Sequence, residues 1–171
     1  MRSVSVILLA LFAGIALAIV SPSIAVSQSG AAVTDELTRS ADVVVVGKVT
    51  DVRSEWNRDR SRIYSTVTLA VNQNIKGDVS QRSITISTPG GEVDGVGEVY
   101  SHTAKFRMNE QVIVFAAKDR QGQLKVIGGD EGKMIVTKEE GTGQLLVGAN
   151  ESLTVVTSRL KAVVKAQAGH E

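Results

Sequence analysis

The chain has 171 residues, a length that suits one domain, with 19 Lys and Arg against 18 Asp and Glu. It contains no Cys, which excludes a disulfide framework, a thiolate metal site, a cysteine nucleophile and a lipidated cysteine. The near-balance of charge argues against a dedicated nucleic-acid binder, and 16 Gly against 2 Pro with only 3 Phe, 2 Tyr and 1 Trp indicate many turns around an aliphatic core.

The N-terminus opens Met1-Arg2-Ser3, followed by an apolar run from Val4 to Val20 broken only by Ser5 and Gly14. Ser21-Pro22-Ser23-Ile24-Ala25 then supplies a helix breaker and small residues, so residues 1–25 read as a secretory signal peptide cleaved after Ala25. Seventeen apolar-run residues make a helix of about 25 Å, short of the ~30 Å hydrocarbon core, and no basic cluster follows to stop transfer. The expected product is secreted or periplasmic, free of the membrane after cleavage, and charge-neutral because Arg2 leaves with the leader.

Residues 26–33 are small and polar and read as a flexible lead-in to a single domain over 34–168. Thr34 is placed to cap a short helix ending near Ser40, with Asp35 and Glu36 in its first turn. Val43-Val44-Val45-Val46 has no polar face and predicts a strand buried on both sides. Val43, Val45 and Val49 share one parity and Val52 and Trp56 the other, so a bulge or bend is expected beside Gly47. After the polar tip Asn57-Arg58-Asp59-Arg60-Ser61, Ile63, Val67, Leu69, Val71 and Ile75 alternate with Tyr64, Thr66, Thr68 and Asn72. That alternation completes a long β-hairpin.

Lys76-Gly77-Asp78 ends the hairpin, Ile84 and Ile86 mark a short third strand, and Pro89-Gly90-Gly91 begins a Gly-rich acidic loop reaching Gly97. Val99–Thr103 reads as a brief edge strand and Val112–Ala117 as a central apolar one. Strands at Leu124–Ile127, Lys133–Thr137 and Leu145–Val147 follow. Asn150 is placed to cap a C-terminal amphipathic helix over 151–167 bearing Leu153, Val156, Leu160, Val163 and Val164 on one stripe. A long bent first strand, a meander and a covering helix predict a mainly β fold, a small OB-like Greek-key barrel, with a β-sandwich as the alternative.

No residue set announces a chemistry. Ser101 cannot serve the adjacent His102 as a nucleophile on a strand, because successive side chains point to opposite faces, and His170 lies at the end of the chain. Asp94, Glu98 and His102 would align as metal ligands only on a helix, which Gly95 and Gly97 oppose. Asp94-Gly95 and Gly129-Asp130-Glu131-Gly132 lack the spacing of a calcium loop. Gly90, Gly91 and Gly95 lack the Lys-Ser/Thr of a phosphate loop. Arg53, Arg58, Arg60 and Arg62 flank Trp56 and Tyr64, a pattern that on an OB-like barrel invites single-stranded nucleic acid. Asp51, Glu55 and Asp59 dilute it, and a solvated hairpin tip is the simpler reading.

Several short motifs occur together: Ala41-Asp42 before the four Val and Gly47-Lys48-Val49; Ile63-Tyr64-Ser65-Thr66-Val67; Lys76-Gly77; Pro89-Gly90-Gly91; Phe106 to Glu110; and Gly132-Lys133. As a set, over roughly residues 34–137, they resemble a recurrent type of exported bacterial protein. More distantly, a hydrophobic strand into Gly-Lys-Val, a hairpin and Lys-Gly is similar to the netrin-like OB barrels that include tissue inhibitors of metalloproteinases. Bacterial domains of that kind also occur beside matrixin-type proteases. In the exported type the residue before Glu110 is usually Gly; here Asn109 stands there, the next-best residue for a positive φ. The resemblance implies a barrel. The inhibitors' zinc-directed mechanism, which uses an amino-terminal Cys, does not carry over to a chain without Cys.

The expected function is therefore a non-catalytic, exported β-barrel that binds an extracytoplasmic protein or surface ligand, with no metal, cofactor or nucleic acid. Its candidate contact regions are Pro89, Gly90, Gly91, Glu92 and Asp94 in the Gly-rich segment and Trp56, Arg58 and Arg60 around the Arg-rich tip. The alternatives are a metalloprotease-associated or inhibitor-like module and, last, a small secreted hydrolase using His102.

Overall fold

A computed structural model describes residues 28–79, 82–148 and 150–169. The expected leader and His170 lie outside them. The described chain opens with helix α1 (Gln28–Ser40), which begins six residues before Thr34. Thr34 therefore lies inside the helix rather than at its cap. Thr34 and Thr38 face the interior, and each hydroxyl donates to the carbonyl four residues earlier, Gly30 and Thr34, at 2.7 Å. This back-bonding lets a polar side chain be buried on a helix without losing a partner.

Strand β1 (Val43–Trp56) and strand β2 (Ile63–Lys76) form the expected long antiparallel hairpin. Its register slips between Val44 and Val45, Val46 and Gly47, and Val49 and Asp51, which is the bend that the parity change in the sequence requires. Gly47 sits where the strands press together: a Cβ there would lie 2.8 Å from the Ala70 carbonyl oxygen.

Strand β3 (Ser83–Pro89) pairs antiparallel with β2, from Tyr64 opposite Pro89 to Ala70 opposite Ser83. The Gly-rich segment read as a loop is instead a small hairpin of β4 (Gly91–Val93) and β5 (Val96–Glu98). Val99–Thr103, expected as an edge strand, is irregular and contains a turn at Ser101-His102. Strand β6 (Gln111–Lys118) pairs with β1, and β7 (Leu124–Val126) pairs antiparallel with β6 and parallel with β3. The order β1-β2-β3-β7-β6 returns to β1 and closes a five-stranded barrel of OB-like topology, rather than a sandwich.

A 3-10 turn (Gly129–Gly132) leads into β8 (Lys133–Lys138), which extends the sheet along β6, followed by β9 (Leu145–Val147) and β10 (Glu151–Ser152). Helix α2 (Leu153–Ala168) starts after Ser152, two residues beyond the expected Asn150 cap. Burial divides into two layers. Val49, Val67, Leu69, Ile86, Val112, Val114 and Ala116 fill the barrel. Val44, Val46, Ile113 and Phe115 point the other way, against Leu37 of α1, Ala41 just after it, and Val156 and Leu160 of α2. The all-apolar runs Val43–Val46 of β1 and Val112–Ala116 of β6 lie between these layers. The helices thus cover one flank of the barrel.

Candidate functional site

The structure brings the two candidate contact regions to one rim. Glu98, the last residue of β5, accepts the Ile63 N–H at 2.5 Å and the Tyr100 hydroxyl at 2.8 Å, and pairs with the Arg62 guanidinium at 3.1 Å. Arg62 also donates to the Tyr100 hydroxyl at 3.1 Å. The Ile63 amide foremost, then the Tyr100 hydroxyl and Arg62, hold the Glu98 carboxyl below its ordinary value. Glu98 in turn raises the Tyr100 phenol, and hydrogen bonding to Glu98 raises Arg62. The Arg-rich tip and the small hairpin are one connected unit.

Within that unit the residues differ in kind. Gly90 is buried, donating its N–H to the Ile63 carbonyl at 2.8 Å and accepting the Ser65 hydroxyl at 2.7 Å. Gly91, at φ 142°, lies over the paired hydroxyls of Ser54 and Ser65; a Cβ there would come within 2.3 Å of the first and 2.5 Å of the second. Pro89, Glu92 and Asp94 are exposed, Asp94 at the hairpin tip with φ 52°. In the tip, the Asn57 side-chain oxygen accepts the N–H groups of Ser61 at 2.9 Å and Arg62 at 3.0 Å. Two Ser61 donors, hydroxyl and amide, lower the Asp59 carboxyl. The turn is thus held by its own polar groups, and the Arg58 and Arg60 side chains extend into solvent.

Beside this unit, an open groove of about 730 Å³ runs over the outer face of β2 and β3, a volume within the ordinary range for ligand sites. Trp56 and Tyr64 stand in it, Trp56 half-buried and Tyr64 37% exposed. Thr66, Thr85 and Ser87 line its floor with hydroxyls, because the alternation that sends Val67 and Ile86 into the barrel sends these residues outward. The far wall is the β6–β7 turn, with Lys118, Gln123 and Lys125. That turn is set by Asp119, whose carboxylate accepts the Gln121 and Gln123 N–H groups at 2.8 and 2.9 Å and pairs with Lys125 at 3.0 Å. Lys125 is the first cause of the lowered Asp119 carboxyl. Lys118 is anchored through its main-chain N–H, 2.7 Å from Asp42 Oδ2, with its side chain exposed. Among the described residues, none of either helix lines the groove.

Sequence reasoning singled out Trp56 and Tyr64 here but missed Thr66, Thr85, Ser87, Lys118, Gln123 and Lys125. Only the parallel β3–β7 pairing carries the second wall to the first, and an explicit strand order for the expected OB-like barrel would have placed it there. His102 is exposed in a turn at φ 56°, not on a strand. Among the described residues, no three His, Asp or Glu gather as metal ligands.

Lys76, Lys133 and Asn109, from the short motifs of the sequence, occupy framework positions. Lys76 Nζ donates to the Thr38 and Arg39 carbonyls at 2.9 and 2.8 Å, closing the end of α1, and to Gln167 of α2 at 3.1 Å. Lys133 Nζ pairs with Glu110 at 2.6 Å, lies 5.0 Å from the Phe106 ring centroid and donates to the Lys105 carbonyl. Asn109 has φ 69°, the conformation its residue type favours. No helix among the described residues is long and apolar enough to cross a membrane. In comparisons with known proteins, no protein-family model and no curated protein matches the chain.

Proposed function

We propose that the protein is a non-catalytic, extracytoplasmic binding module that holds its ligand in the groove over β2 and β3. The observation that carries this reading is the groove itself. Two aromatic side chains stand over a hydroxyl floor between two self-braced polar loops, on a face that neither helix lines. Aromatic faces offer apolar contact at low entropic cost, and the hydroxyls and Gln123 offer adjustable hydrogen bonds. The neighbouring rim of Arg58, Arg60, Glu92 and Asp94 extends the contact surface. The extracytoplasmic assignment rests on the leader-like composition of residues 1–25.

Trp56 is the chain's single tryptophan, so its emission reports on the groove without labelling. The test is retention of the protein, lacking residues 1–25, on washed cell-envelope material, followed by release and fluorescence titration with the soluble components. Trp56→Ala and Tyr64→Ala are expected to lower retention while leaving the unfolding free energy within about 1 kcal/mol of the parent. Retention unchanged in both variants would refute the groove as the site.

A further inference from the structure

We infer that the ligand of the groove is an acidic polysaccharide, a polymer of uronate-type sugars lying across β2, β3 and the β6–β7 turn; this rests on the binding reading above. The first ground is the placement of charge. The loops at the two ends of the groove, residues 57–62 and 118–125, carry Arg58, Arg60, Arg62, Lys118, Arg120 and Lys125 against Asp59 and Asp119; Lys118 and Lys125 line the groove, Arg58, Arg60 and Arg120 are exposed beside it, and Arg62 is paired with Glu98. Their net charge is +4, and +2 once Glu98 on Arg62 and Glu55 in the lining are counted, whereas the whole chain is +1, which leaves a net −1 on the remainder. A cationic frame on a protein otherwise close to neutral steers anions toward that face.

The second ground is what lies between the walls. The floor positions Thr66, Thr85 and Ser87 are neutral hydroxyls that can both donate and accept. This suits a chain of ring hydroxyls better than a fully ionic surface. Glu55, the single carboxylate among the described residues of the lining, is an acceptor for sugar hydroxyls. Trp56 and Tyr64 supply the flat apolar contact that the CH-bearing face of a pyranose needs. A nucleic acid strand has similar charge, but successive bases require successive stacking platforms. Here the aromatic side chains of the lining are Trp56 and Tyr64, both at the β1–β2 end.

The test uses the protein without residues 1–25 and three probes of matched length: an oligogalacturonate, a neutral galacto-oligosaccharide and an oligothymidylate. Trp56 emission is expected to change saturably with the oligogalacturonate, and the affinity to fall about fivefold or more between low salt and about 0.3 M salt. The double variant Arg58→Gln/Lys118→Gln, with unchanged circular dichroism, is expected to bind it about tenfold more weakly. Equal binding of the neutral oligosaccharide would overturn the acidic-sugar inference and leave the binding reading standing. Tighter binding of the oligothymidylate would overturn it in favour of nucleic acid. Silence with all three, in emission and in calorimetry, would overturn it as well, and the envelope-retention result would then decide the groove reading separately.

Discussion

Replacing Lys133 by Met removes an ammonium whose side chain is 7% exposed and strands the Glu110 carboxylate, 16% exposed, in the same place. A fully buried pair broken from one side costs about 3–5 kcal/mol, most of it the penalty of the remaining unpaired charge. Here Glu110 keeps the Arg107 N–H at 3.0 Å and some water, which lowers the expectation to about 2–3 kcal/mol, including the lost bond to the Lys105 carbonyl. At this chain length that corresponds to a fall in melting temperature of roughly 5–10 °C. The local consequence is specific. The turn before β6 is tied to β1 by Asn109 N–H to the Val49 carbonyl at 2.9 Å and Val49 N–H to the Glu110 carbonyl at 2.8 Å. Hydrogen exchange at Asn109 and Val49 should therefore accelerate beyond the global effect. Urea unfolding of Lys133→Met, Glu110→Gln and the double variant completes a cycle. The double variant is expected to recover part of the loss, since it leaves no buried charge alone. A single-variant cost below about 1 kcal/mol, with Val49 protection unchanged, would mean that the pair behaves as an ordinary surface contact and refute the reasoning.

Gly91→Ala should destabilise by about 2–3 kcal/mol in urea, because its φ is unfavourable for alanine and its Cβ would strike the Ser54 and Ser65 hydroxyls; a cost under about 0.5 kcal/mol would show that the small hairpin floats free of β1 and β2. Glu98 has a depressed folded-state pKa, so its contribution is fully present above the ordinary glutamate value of 4.5 and drains away as pH falls through the lower folded value. Glu98→Gln should therefore lower the melting temperature at neutral pH and flatten its decline on acidification, read from melts across that window; parallel curves for parent and variant would exclude the linkage.

The hairpin of β1 and β2 was legible because alternation over Ile63–Ile75 is long enough to exclude other periods, and the bend at Gly47 because the parity of Val49 and Val52 disagrees. The early start of α1 was not, since its buried face is partly threonine and only the back-bonds to Gly30 and Thr34 make those positions acceptable inside. The small hairpin hid for a different reason: its strands are three residues each, Gly-rich, and held by Glu98 and by backbone packing on Ser54 and Ser65 rather than by an apolar face. The tip was visible as an Arg cluster, but Arg62 is spent on Glu98 while Arg58 and Arg60 remain at the surface. The groove needed topology. Thr66 and Ser87 are ordinary outward strand residues until β7 is laid beside β3, a pairing between segments more than thirty residues apart that no local pattern encodes.

That pairing is brief: β3 meets β7 only at Ile86 opposite Leu124 and Ser87 opposite Lys125, whereas β1 and β2 are matched along nearly their whole length. A closed barrel parts first at its shortest seam. The groove lies directly across it, with Thr85 and Ser87 on one lip and Leu124 and Lys125 on the other. A ligand seated there would act as a clasp. It would join two edges that the chain itself barely stitches, so occupancy and closure of the barrel would become a single equilibrium, and resistance to opening would rise with ligand concentration.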